Sequence, residues 1–318
     1  MSALTANRAE LERLIQRVSN WGRWGPDDEH GTVNFITPAR RAAGAELIRT
    51  GRSFSLAIPL DSQGPWPAGG GRWNPIHTML QTGADVLAGA QPYDFTEGYA
   101  DDMVCMPLQC GTQWDSLAHI FHRGKMYNDR SARLVDAAGA HKNSITALKS
   151  DIVGRAVLVD LPRAQGIDWL EPGHEVTPAE LDSALEGQGA QVLPGDILLL
   201  RTGHMRHIRQ QGSWEGFVQP PEPGPGYRLI PWLYEHEVAA VAADTWALEA
   251  MPSGVEGCGL PIHQVGITYM GLLVGEIFFL DELAEDCAAD RRYEFFFCAP
   301  PLPITGAVGS PINPLAIK

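Results

Sequence analysis

Residues 109–119, Gln-Cys-Gly-Thr-Gln-Trp-Asp-Ser-Leu-Ala-His, set five side chains that can bind a metal or move a proton around one Gly-Thr: Gln109, Cys110, Gln113, Asp115 and His119. Side chains of an extended segment alternate between faces, so Gln109, Gln113, Asp115 and His119 can converge on one side if a strand here runs into a loop. Cys110 and Trp114 then fall on the other side. Standing alone, such a stretch reads most simply as a polar loop with ordinary turn chemistry. A second signal lies far downstream, where Glu276 interrupts the apolar run 266–280 shortly after His263. A carboxylate in such a run is costly unless it is paired or coordinated, and a metal or a histidine partner would account for it.

Other candidates have simpler explanations. His122 follows His119 closely and is expected at a pocket mouth or in solvent. His204 and His207 share an i, i+3 face among arginines with no acidic residue beside them, which fits a solvated helix face better than a metal site. Cys110 has no neighbour that would activate it, and free cysteines are commonly buried. There is no Gly-x-Ser-x-Gly elbow, so the usual serine-hydrolase route is absent. Trp24, Trp66, Trp73 and Trp114 could wall an aromatic pocket, or equally pack core and interface. The Gly/Pro-rich excursion from Asp61 to Pro75, containing Gly69-Gly70-Gly71, reads as a lid and lacks the Lys-Ser/Thr of a phosphate loop.

At 318 residues the chain is long enough for a substantial core without staples. With 44% apolar and 19% charged residues, 34 Gly and 24 Pro, it is a loop-rich globular chain rather than a disordered one. A formal charge of −14 argues against a nucleic-acid surface. The densest basic stretch, Arg201 to Arg209, reads as a solvated helix face. The five cysteines are odd in number and scattered without a C-x-x-C pair, which suits a reduced, cytoplasmic protein. The first residues carry no apolar signal core, and 266–280 is too short and too polar to span a membrane.

The elements that must position these residues are partly legible. Leu11, Leu14, Ile15 and Val18 recur at helical spacing and predict an amphipathic N-terminal helix docked on the body. Thr37-Pro38 and Gly51 bracket a second helix, with a loop over 21–34 between the two. The apolar runs 156–160 and 196–200 read as buried strands. Thr177-Pro178-Ala179-Glu180 combines a capping box with a first-turn proline. The small-residue run 238–243 suggests a buried strand whose end, at Asp244, points into a site. Strands mixed with helices imply an α/β fold. No internal repeat or linker divides the chain, so 1–318 is read as one domain with the helical segment 1–50 packed on it.

Residues 109–119 resemble the signature H-x-G-T-H-x-D-x-P-x-H of the cyclase family of metal-dependent hydrolases, which includes bacterial kynurenine formamidase and isatin hydrolase. Supporting blocks are Gly25 to Asn34, Gly195 to Gly203, Ala243-Asp244-Thr245, and Leu260-Pro261-Ile262-His263 followed by Gly275-Glu276. The resemblance implies an α/β fold of mixed sheet and surrounding helices with swivelling β/β/α character. It also implies Asp115 as a metal ligand, His119 as the proton-transfer group, and His263 with Glu276 as a distant pair completing the site. Gln109 and Gln113 occupy positions where the family has histidines.

The expected site is therefore His119 and Glu276 as catalytic residues, with Gln109, Gln113, Asp115 and His263 as ligands of a divalent metal ion. Amide oxygens are harder donors than imidazole, so manganese suits this set better than zinc. A site that has lost its metal, the two amides hydrogen-bonding a substrate, is the alternative. The expected activity is hydrolysis of an amide, lactam or ester bond in a small, perhaps aromatic, carbonyl compound. A lyase, dehydratase or ring-closing reaction on the same scaffold, and a non-catalytic small-molecule binder, stay open. The resemblance also implies a homodimer or homotetramer, while charge and hydropathy point to no nucleic-acid or membrane partner.

Overall fold

The apolar runs Val153–Asp160 and Ile197–Arg201 form adjacent parallel strands in the middle of a nine-stranded sheet. The structure, a computed structural model, describes residues 6–67, 71–92 and 97–318. In chain order the sheet strands are β1 (Ser53–Ser55), β2 (Gln113–Asp115), β3 (Val153–Asp160), β4 (Ile197–Arg201), β5 (Ala240–Ala243), β6 (Leu273–Glu276), β7 (Glu294–Cys298), β8 (Gly309–Pro311) and β9 (Leu315–Ile317). Their order across the sheet is β1-β9-β7-β3-β4-β5-β6-β2-β8. Strands β3 to β6 run parallel, and antiparallel strands flank them on both sides. This is the α/β arrangement with a mixed sheet that the sequence predicts.

Both faces of the parallel centre are covered, which is why its strands are continuously apolar rather than alternating. Val157, Val159, Leu198, Leu200, Val241 and Val274 face one hydrophobic cluster. Their neighbours Ala156, Leu158, Ile197, Leu199, Ala242 and Leu273 face the other, where Trp114, Phe295 and Phe297 also pack. The first cluster takes in Leu11, Ile15 and Val18 of helix α1 (Arg8–Val18), capped by Asn7 and Glu10. Residues 1–5 lie outside the described residues. Helix α2 (Pro38–Ala45) starts at Thr37 as predicted but stops well before Gly51. Its Gly44 lies against β3, where a Cβ would fall 2.8 Å from the Arg155 nitrogen, so close packing on the sheet sets the end.

Helix α3 (Pro178–Gln188) begins at the Thr177/Glu180 capping box and ends at the left-handed Gly189. The basic stretch departs from its predicted form. Arg201 is the last residue of β4, buried and ion-paired with Asp160 and Asp281 at 2.8 Å each. Helix α4 (His204–Arg209) starts only after Gly203, and His204 is buried against Phe217. The solvated face expected over 201–209 is thus confined to the later residues, because the strand carries Arg201 inward before the helix begins. Helix α5 (Leu229–Glu235), a π-helical segment Ile262–Met270 and helix α6 (Asp281–Asp290) complete the elements used below. No helix among the described residues is long and apolar enough to cross a membrane.

Candidate metal centre

Two strands and the π-helical segment bring the distant residues together. β2 pairs antiparallel with β6 so that Gln113 lies opposite Glu276 and Asp115 opposite Val274. By strand alternation Gln113, Asp115 and Glu276 then project from one face, and Trp114 from the other. Trp114 is fully buried against Phe278, its indole N–H donating to the Ala299 carbonyl at 2.9 Å. Gly275 makes that packing possible, since a Cβ there would fall 2.4 Å from Trp114. The π-helical segment turns at Gly271 into β6, which returns His263 over Glu276.

Asp115, His263 and Glu276 are all buried, and each offers one ligand atom within 4.8 Å of the others. His263 Nε2 is 3.1 Å from Glu276 Oε1 and 3.7 Å from Asp115 Oδ2. Gln113 donates from Nε2 to Glu276 Oε2 at 2.6 Å. His119, beyond the turn that ends β2, places Nε2 3.9 Å from Asp115 Oδ2. The Gln109 amide lies beside Gly309, the residue opposite Asp115 in β8.

The donor set leaves acceptors without partners. Both oxygens of Asp115 and Oε1 of Gln113 are buried and accept no hydrogen bond among the described residues. Unpaired buried acceptors, one of them carrying charge, are expensive, and a divalent cation between Asp115, His263 and Glu276 would satisfy them. The residues present therefore fit a metal ion.

The electrostatics separate the two histidines. Burial lowers the pKa of His119, only partly opposed by Asp115, so its imidazole is neutral near pH 7. Burial also works against charge on His263, but the carboxylates of Asp115, Glu249 and Glu276 around it raise its pKa well above the ordinary value. Burial and the nearby Asp115 raise Glu276. Asp115 stays below the usual carboxyl range because His119 and His263 outweigh its burial. One imidazole can thus accept a proton while the other is held between carboxylates.

Sequence reasoning misses Glu249. Its Oε1 accepts from the His263 backbone N–H at 2.9 Å and lies 2.7 Å from His263 Nδ1. Its Oε2 accepts from Ile262 N–H at 2.8 Å. The available signal was an acidic residue within Ala247-Leu248-Glu249-Ala250, the same anomaly that singles out Glu276. Glu222 is also missed: it is fully buried and accepts from the backbone N–H groups of Trp246 and Ala247.

Asp244 does not reach the centre. Its carboxylate is occupied by Thr202 and Gly203, with contacts of 2.7–2.8 Å, so the end of β5 braces a turn instead of pointing into the site. His122 is half-buried and bonded to the Tyr269 hydroxyl at 2.7 Å. Burial pushes the Cys110 thiol up to about 11, which makes it a poor nucleophile. Of the four tryptophans considered, Trp114 packs the core, Trp24 packs on Phe35 and Trp73 is exposed. Trp66 lies against the motif, its indole N–H donating to the Cys110 carbonyl at 2.9 Å. The lid reading of 61–75 falls partly on residues 68–70, which lie outside the described residues.

Comparison with known proteins follows the same lines. The sequence profile of the cyclase family matches residues 54–250. A crystal structure described as a novel cyclase is 44% identical, with a TM-score of 0.88 over 96% of this chain and 99% of that one. Isatin hydrolase A from Ralstonia solanacearum is similar in fold, with a TM-score of 0.59 and 20% identity over 83% of this chain and 91% of its own. An isatin hydrolase bound to the product analogue thioisatinate gives a TM-score of 0.60 at 17% identity, covering 88% of this chain and 97% of its own. No curated protein gives a significant match.

Proposed function

The chain belongs to the cyclase family, and from that premise we propose that it is a metal-dependent hydrolase cleaving an amide, lactam or ester bond of a small carbonyl compound. The observation that carries this reading is the buried meeting of Asp115, His263 and Glu276, with unpartnered acceptors between them and a neutral His119 at their edge. Structures similar in fold are named isatin hydrolases, in keeping with a hydrolase reading.

Asp115, His263, Glu276 and Gln113 Oε1 would hold the ion, and Gln109 is proposed as a further oxygen donor at the rim. A divalent ion in such a site polarises a carbonyl and lowers the pKa of water. His119, neutral and close to Asp115, accepts the proton of the attacking water and returns it to the leaving nitrogen or oxygen. Glu249 keeps a proton on His263 Nδ1 and so turns Nε2 toward the centre. Glu276, hydrogen-bonded to Gln113 and His263, is proposed to act through the ion rather than as an independent acid.

The same reading includes a homo-oligomeric, cytoplasmic enzyme. Its five cysteines are free. The hairpin of Ile76–Gln81 with Asp101–Cys105 exposes Ile76, Leu80, Met103 and Val104, an apolar surface suited to self-association.

The test is a panel of lactams, amides and esters offered to chelator-treated protein before and after addition of manganese. Turnover restored by manganese, with a product heavier by one water, is the expected result. Full activity after chelation would overturn the metal role, and a product without the added water would place the chemistry with lyases or ring closure.

A further inference from the structure

Beside the unpaired acceptors, the centre also carries unspent donors. Arg72 donates from Nη1 to the Gln109 carbonyl at 3.1 Å, and its guanidinium carbon lies 5.1 Å from the Trp66 ring centroid. The Trp66 anchor is itself fixed. Trp66 bonds through its indole to Cys110 and through its backbone N–H to Asn74, each at 2.9 Å.

Arg72 forms no ion pair among the described residues, although its charge acts on Asp115, His119 and Glu276. Its Nη1 is tied to Gln109, in the same motif as Asp115, yet it pairs with no carboxylate among the described residues. Here a carbonyl and an aromatic face hold it instead, and most of its fork of N–H groups stays free. Two more donors are orphaned nearby. Nε2 of Gln109 and Nε1 of Trp246 are buried without partners among the described residues. Trp246 meets Trp66 edge-on at 6.3 Å. Donors gathered beside an aromatic wall, next to acceptors that suit a cation, form a receptor for an anion carried on a flat apolar group.

We propose that Arg72 is a specificity-determining residue that receives the carboxylate released when the acyl bond is hydrolysed, with Trp66 and Trp246 walling the group attached to it. This inference rests on the hydrolase reading above. It makes the carboxylate product, rather than the neutral substrate, the species the free guanidinium selects. A planar fork serves this better than an ammonium, because two parallel N–H groups match two carboxylate oxygens.

The experiment titrates wild type, Arg72→Gln and Arg72→Lys with benzoate and with its neutral near-isostere benzamide, following tryptophan fluorescence. Each titration is run on chelator-treated and on manganese-loaded protein. Wild type should prefer benzoate in both states. Arg72→Gln should weaken benzoate about tenfold or more while leaving benzamide within about twofold, as expected for loss of a charge-assisted pair. Arg72→Lys keeps the charge and the long stem, and should retain part of the preference. No benzoate preference in wild type, equal loss of both probes, or a preference surviving in Arg72→Gln would overturn the proposal. A preference that needs manganese and survives in Arg72→Gln would put the carboxylate on the ion, refuting the role of Arg72 while sparing the hydrolase reading. Failure of manganese to support turnover would do the reverse, since the chelated titration reads Arg72 alone.

Discussion

Glu249 and His263 are joined twice through one oxygen, which accepts the His263 backbone N–H at 2.9 Å and lies 2.7 Å from Nδ1 of the same residue. A carboxylate can only accept, so Nδ1 carries a proton and Nε2 is turned to Glu276 and Asp115. One side chain thereby sets both the start of the π-helical segment and the rotation of the ring. Removing its charge should loosen the centre without touching the ligands. Glu249→Gln is expected to lower manganese affinity by about 10- to 100-fold, the usual effect of losing a partner behind a ligating histidine. Competition against a chelator measures it, and unchanged affinity would show that the ring is oriented by other contacts.

His119 is the group whose loss should separate chemistry from folding. It is partly exposed, and none of its side-chain atoms holds another element in place by a hydrogen bond. His119→Ala should abolish turnover while the melting temperature stays within a few degrees of wild type. Because burial lowers its pKa below that of an ordinary imidazole, the neutral form is already dominant at pH 7 and is lost only as pH falls through the lowered value. The acid limb of kcat/KM should therefore lie below 6.5. A limb at higher pH would assign the titrating group elsewhere.

Asp115 places a buried charge beside Glu276, whose carboxyl is raised by burial and by that same charge. In chelated protein, Asp115→Asn relieves that repulsion but gives up a charge that His119 and His263 hold below the usual carboxyl range, and should lower the melting temperature. The same variant should lose the thermal stabilisation that manganese gives wild type, which for ion at one hundred times its Kd amounts to about 2.7 kcal/mol. Parallel melting curves with and without manganese decide the matter, and a manganese-induced shift preserved in Asp115→Asn would remove Asp115 from the ligands.

Gln113 is the proposed source of the preference for a harder ion. Gln113→His offers an imidazole where the amide now donates to Glu276 at 2.6 Å. The ratio of zinc to manganese affinity should rise about tenfold or more, since nitrogen ligands favour zinc. An unaltered ratio would mean that the residue faces Glu276 alone and does not meet the ion.

Much of this arrangement could be read from local sequence, and the reason is physical. Capping at Thr37 and Thr177 depends on residues within one turn, and those helix starts appear where their signals stand. The runs in β3 and β4 are apolar throughout because both faces are covered, a condition that leaves its mark on every residue. The end of α2 was less legible, because packing of Gly44 on the sheet, and not a cap residue, decides it. Arg201 and His204 look like solvent-facing residues in a basic stretch, yet their partners Asp160, Asp281 and Phe217 lie on other elements.

The sequence alone determined the family, the α/β class and the short list of residues with metal and proton chemistry, because motif spacing and apolar periodicity are properties of neighbours along the chain. Tertiary structure alone decided that β6 lies beside β2, that Gln113 faces Glu276, and that Glu249 stands behind His263. It also decided that Arg72 reaches the Gln109 carbonyl. Those relations are set by strand register and by packing between segments far apart in sequence, where a shift of one residue would turn every side chain of β2 to the opposite face.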